Sequence, residues 1–63
     1  MEVIKMTKQQ ALEDLFFAVK KHLLDCGRTL SASIAIATKV VEDAEKLNMT
    51  IEDIRSMRDV FLA

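Results

Sequence analysis

The chain has 63 residues, 51% of them hydrophobic, with nine lysines and arginines against ten aspartates and glutamates. One domain at most fits that length, the apolar content and low net charge exclude disorder, and the longest apolar run, Leu15 to Val19, excludes a membrane span of roughly 20 residues. Net charge is zero over residues 1–27 (four basic, four acidic), zero over 28–49 (three and three) and minus one over 50–63 (two and three), so no segment carries the basic stripe of a nucleic-acid binder.

With no proline and a single glycine, the breaks between elements have to be read from caps. Residues 1–6 form a tail, or a short strand through Val3 and Ile4. Thr7 and Gln10 make a capping box, with Met6 and Ala11 at the positions of a hydrophobic staple. The first helix therefore spans about 7–25, ending before Gly27, the residue that takes the left-handed conformation without steric cost. Leu12, Leu15, Phe16, Val19 and Leu23 recur at spacings of three and four and form its core face. Phe17 and Leu24 lie seven residues apart, away from that face and beside Lys20 and Lys21, as a second apolar strip that one core does not need.

Thr29 or Ser31 caps a second helix over about 30–47, with Asn48 as its left-handed terminator. Leu30, Ile34, Ala37, Val41 and Ala44 share a line, and Ile36, Val40 and Leu47 widen it past half the circumference, which marks this helix as the central one. Its alanines, Ala32, Ala35, Ala37 and Ala44, allow neighbours to approach closely. Thr50 then caps a third helix over about 51–62, with Glu52 and Asp53 in the first turn where the helix dipole favours them. Ile51, Ile54, Met57 and Phe61 share its apolar face, with Val60 to one side. The expected fold is all-α: a single domain over 1–63, two longer helices in a hairpin plus a short C-terminal helix.

A domain this small needs disulfides, a metal or a second chain to offset conformational entropy of roughly 1.5 kcal/mol per ordered residue. One cysteine and one histidine supply neither a disulfide nor the four ligands of a structural zinc. No cofactor is expected, and association into a homodimeric or heterodimeric helical bundle is the remaining remedy. The acidic start Met1-Glu2, followed by no small-residue cleavage site, and the single thiol make the cytoplasm the expected compartment.

Candidates for catalysis are few. Glu13 with Asp14, and Asp43 with Glu45, are close in sequence but point in different directions on a helix, which suits a solvated face. His22 and Cys26 stand four apart, where an imidazole could activate a thiol. Cys26 also continues the core stripe of Val19 and Leu23, as a small buried hydrophobe does, while His22 falls on the polar side with Lys21. Met49 and Met57 flank the third helix and serve either as adaptable contact surface or as core filler. Arg55 and Arg58 could meet an acidic partner or a phosphate, or pair at the surface with Asp59 or Glu52. No enzyme is expected.

The stretch Val41-Glu42-Asp43-Ala44-Glu45-Lys46-Leu47-Asn48-Met49-Thr50-Ile51-Glu52-Asp53-Ile54-Arg55, followed by Phe61-Leu62, resembles the helix, tight turn and helix hook of the Sin-type anti-repressor and repressor dimerisation segment of bacilli. It departs from that family in lacking an aromatic anchor in the first hook helix and a proline at the position of Ile51. The resemblance implies that Leu47, Met49, Ile51, Ile54 and Phe61 form a dimerising surface, and that the partner is a transcription factor which this protein sequesters or modifies. The expected function is thus regulation by protein–protein interaction, through the hook, with Arg55, Met57 and Arg58, and the Phe17/Leu24 strip. The competing expectation is a small dimeric nucleic-acid binder of ribbon–helix–helix, helix-turn-helix or Rop-like form, against which the neutral charge and the acids at 52 and 53 argue.

Overall fold

A computed structural model describes residues 7–62, which form three helices: α1 (Lys8–Asp25), α2 (Leu30–Lys46) and α3 (Ile51–Leu62). The tail or short strand expected over residues 1–6, and with it the Met6 half of the staple, lies outside the described residues. Each boundary has a local cause. Thr7 Oγ1 accepts from the Gln10 N–H at 3.1 Å while the Gln10 Oε1 accepts from the Thr7 N–H at 3.0 Å, a reciprocal capping box. Thr29, not Ser31, caps α2 by accepting from the Ala32 N–H at 3.1 Å, and Thr50 does the same for Asp53 at 3.2 Å.

The two turns are built alike. The Arg28 N–H donates to the Leu23 carbonyl and the Gly27 N–H to that of Leu24, both at 3.0 Å. Met49 donates to Ala44 at 3.2 Å and Asn48 to Glu45 at 3.0 Å. Both are Schellman closures, which satisfy carbonyls that a helix end otherwise leaves open. Each requires a left-handed residue, filled by Gly27 at φ 90° and Asn48 at φ 52°. Lys8 Nζ donates to Asn48 Oδ1 at 3.0 Å, which ties the start of α1 to the end of α2 and sets the two helices antiparallel. Since α3 departs from that same end, it runs in the direction of α1.

The centre of the fold is α1, not α2: both other helices pack on α1 and barely touch each other. The reason lies in side-chain size. The buried line of α2 is Ser33, Ala37 and Ala44, a shallow strip that seats one neighbour closely. The wide apolar arc beyond it stays largely in solvent, with Leu30 56%, Ile34 40% and Ile36 40% exposed. In α1, by contrast, Leu12, Leu15 and Val19 project toward the middle, while Ala11 and Ala18 open a seat for α3. Leu15, Val19 and Ile54 are fully enclosed, each contributing about 1.5–3 kcal/mol by burial.

Phe16, Leu23, Val40, Val41, Met49, Ile51, Met57 and Phe61 close the edges of this core. Buried Ser33 satisfies its hydroxyl by donating to the Thr29 carbonyl at 2.8 Å, which lets a polar residue sit where close packing needs a small one. No helix among the described residues is long and apolar enough to cross a membrane.

Candidate interaction surface

On α1, the residues flanking Phe17 in sequence turn inward, Phe16 to the edge of the core and Ala18 into it, and leave Phe17 58% exposed. Its ring meets that of Phe16 edge-on at 5.8 Å and 84°, and Lys20 Nζ lies 5.1 Å from its centroid, a cation–π contact that keeps the lysine along the helix. Leu24, one heptad further, is 38% exposed. Beside this strip runs an open groove of about 300 Å³ between α1 and α3, lined by Asp14, Phe17, Ala18, Lys21, Arg58 and Leu62.

Arg58 forms the groove's polar wall. Its side chain is 23% exposed and reaches back to α1, with Nη1 3.5 Å from Asp14 Oδ2 and Nη2 3.0 Å from Asp59 Oδ1. The expected pairing with Asp59 is thus present, but the guanidinium also clamps α3 to α1. Asp14 is correspondingly half-buried and ion-paired, not part of a freely solvated face. Arg55 points to solvent on the outer side of α3, beside Glu52, Ser56 and Asp59. Asp43 pairs with Lys39 at 3.6 Å along α2, and Glu13 and Glu45 are exposed.

The hook residues separate into two groups. Ile54 is fully buried within its own chain, and Met49, Ile51, Met57 and Phe61 pack against that same core. The apolar face that the resemblance assigns to a partner is therefore occupied here by α1. What the hook offers outward is Leu47, 75% exposed as the C-cap of α2, together with Val60 at 73% and Leu62 at 56% on α3. Sequence periodicity set Val60 to one side of α3 and did not single out Leu62. Its position late in a short helix gives no clue, because only the crossing of α3 over Ala18 and Asp14 decides which terminal side chains run past the core.

Two expectations for the pair at 22 and 26 are corrected. Cys26 is exposed, not buried: it sits on the core meridian but at the C-cap, past the last turn of α1, where nothing crosses above it. His22 is half-buried, not free in solvent, since the Phe61 ring lies edge-on to it at 5.7 Å and 65°. Its Nε2 stands 3.8 Å from Cys26 Sγ. Among the described residues no three histidine, cysteine, aspartate or glutamate side chains converge on a point where a metal could sit. Comparison of the chain with protein-family models, with curated proteins and with solved structures yields no match.

Proposed function

We propose that the chain is a non-enzymatic regulatory protein that acts by binding another protein, its target being a bacterial transcriptional regulator of the kind the Sin-type resemblance implies, in the manner of an anti-repressor or co-repressor. The observation that carries the reading is Leu47. A leucine 75% exposed at a rigid, Schellman-closed turn gains nothing for its own chain, while the same side chain inserted into a partner's pocket gains about 1.5–3 kcal/mol at little cost in loop ordering. Ile36 and Val40 extend the Leu47 line along α2, and Arg55 and Val60 present the outer side of α3. The buried members of the hook, Ile54 above all, contribute by holding α3 in place.

Direct DNA or RNA binding has less to support it. As a recognition helix, α3 would lead into a groove with Glu52 and Asp53, and Arg58 is already neutralised by Asp14 and Asp59.

The test is capture from bacterial cells with the tagged chain and with Leu47→Asp, followed by assay of each captured protein for operator binding with and without the chain. The expected result is a DNA-binding regulator retained by the wild type, lost by the equally helical variant, and altered in operator affinity when the chain is added. A wild type that retains nothing the variant loses refutes the reading.

A further inference from the structure

We propose that the exposed back of α1 pairs with the same face of a second copy of this chain, antiparallel, about a two-fold axis at Phe17. The proposal rests on the reading of the chain as an interaction protein and names one of its surfaces and the occupant. Its basis is the charge order around the exposed phenylalanine. Glu13 and Asp14 lie four and three residues before Phe17, and Lys20 and Lys21 lie three and four residues after it. The pattern reverses sign on reflection through Phe17.

That antisymmetry is what an isologous helix pair needs. Residues seven apart return to nearly the same side of a helix, about 20° short of two full turns. Glu13 and Lys20 therefore share one flank of the Phe17 line, and Asp14 and Lys21 share the other. A two-fold axis perpendicular to both helices keeps each flank on its own side and reverses the direction along it. Glu13 of one copy then meets Lys20 of the other, Asp14 meets Lys21, and each pairing occurs twice. Leu24 falls against the stem of Gln10.

Other registers are disfavoured by the same charges. Setting Phe17 opposite Leu24 gives a more apolar seam but puts the axis between Lys20 and Lys21, so that four lysines converge. A parallel pair sets acid beside acid and lysine beside lysine. Of these charges Asp14 already meets Arg58 of its own chain at 3.5 Å and Lys20 rests on the Phe17 ring at 5.1 Å, so the Glu13 to Lys20 pairing carries the register, and Asp14 is shared between Arg58 and Lys21 of the second copy. The neighbours of Glu13 and Lys20 three and four places away are glutamine, phenylalanine and leucine, and among the described residues neither forms an ion pair. Phe17 is 58% exposed at the axis, and the groove of about 300 Å³ beside Ala18 and Leu62 gives each ring a place to lean into the opposite copy.

Sedimentation equilibrium from about 5 µM to 1 mM, in low salt and in about 0.5 M salt where exposed charges are screened, tests the pairing. The wild type is expected to form a reversible dimer that weakens with salt. Glu13→Lys and Lys20→Glu, both at sites that leave the core untouched and both checked for helix content, are each expected to weaken it about tenfold or more, because two attractions become two repulsions. An equimolar mixture of the two variants, and the double variant carrying both changes, are expected to recover the association.

A wild type that stays monomeric throughout, a dimer that neither variant alters, or a loss that the mixture does not restore would each overturn the pairing. The outcome is separable from that of the target reading, which is read by Leu47→Asp. A monomer that still captures its regulator removes the α1 pairing alone, and a charge-dependent dimer that captures nothing removes the target alone.

Discussion

Replacing Ile54 separates a core residue from an interface residue. Its side chain is wholly enclosed by its own chain, in one cluster with Ala11, Leu15, Ala37 and Ala44. Truncation of an enclosed isoleucine to alanine costs about 2–5 kcal/mol, and to valine about 0.5–1.5 kcal/mol. For a chain of this length the denaturant slope in urea is about 1 kcal/mol per molar, at the low end of the range. Ile54→Val should thus lower the urea midpoint by about 1 M and the melting temperature by about 4–8 °C. Ile54→Ala removes a large part of the roughly 5 kcal/mol at the lower end of domain stabilities and should leave the chain partly unfolded in buffer.

The assay is far-ultraviolet circular dichroism against urea at two protein concentrations a hundredfold apart. Loss from an intrachain core produces the same midpoint shift at both. If Ile54 instead met a partner chain, the shift would shrink on dilution as both proteins became monomeric, and Ile54→Val would change the mass in solution without changing a monomer's midpoint. That result would refute the assignment of Ile54 to its own core.

Three further outcomes follow from the helix ends. Gly27→Ala should cost about 1–2 kcal/mol, all of it backbone strain, because the residue sits at φ 90° and an added Cβ meets nothing within 4 Å; an unchanged urea midpoint would deny the left-handed turn. Thr7→Ala should cost about 1 kcal/mol and, in hydrogen exchange, release protection at Gln10 and its neighbours before that of the rest of α1; uniform loss along the helix would contradict the capping box. Cys26 should be alkylated in the native protein nearly as fast as in the urea-unfolded chain, and Cys26→Ser should shift stability by less than about 0.5 kcal/mol; a strongly protected thiol would place it back in the core.

The caps and turns were legible because their physics is local. Thr7 with Gln10, Gly27, Asn48 and Thr50 announce their roles within a span of four residues, and the helix limits they imply agree with the structure to within a residue. The apolar faces of α1 and α3 were legible for a similar reason, since large side chains at three-and-four spacing leave little choice of side. What could not be read was which helix the others pack upon. The apolar arc of α2 is the wider, yet packing depth depends on side-chain size on both partners, and its close contact runs through Ala37, Ala44 and a serine.

The remaining misreadings come from the same source. Cys26 stays on the core meridian but beyond the end of the core. His22 lies on the side over which Phe61 crosses, and Asp14 takes up Arg58 from 44 positions away in sequence. The hook face including Ile54 reads equally well as self-contained or as partner-seeking, because periodicity identifies an apolar stripe without naming what covers it. Of the outward-facing apolar residues, Leu47 already belonged to the hook surface that the resemblance implies, whereas Val60 and Leu62 become candidates for contact only because α1 covers the rest of α3.

Because α2 and α3 are each anchored to α1 and scarcely to one another, the molecule is wired like a hinge pin with two leaves. Local opening should therefore split into two unequal kinds, with the shorter leaf, whose buried residue is Ile54, the cheaper to lift. Lifting α3 breaks the Arg58 clamp to Asp14, clears the groove beside Ala18 and withdraws Ile54 from the cluster it shares with Leu15 and Val19, which opens a strip along α1. A partner that competed for that strip would not have to unfold the chain. It would only have to outbid twelve residues that are already next to the place they vacate.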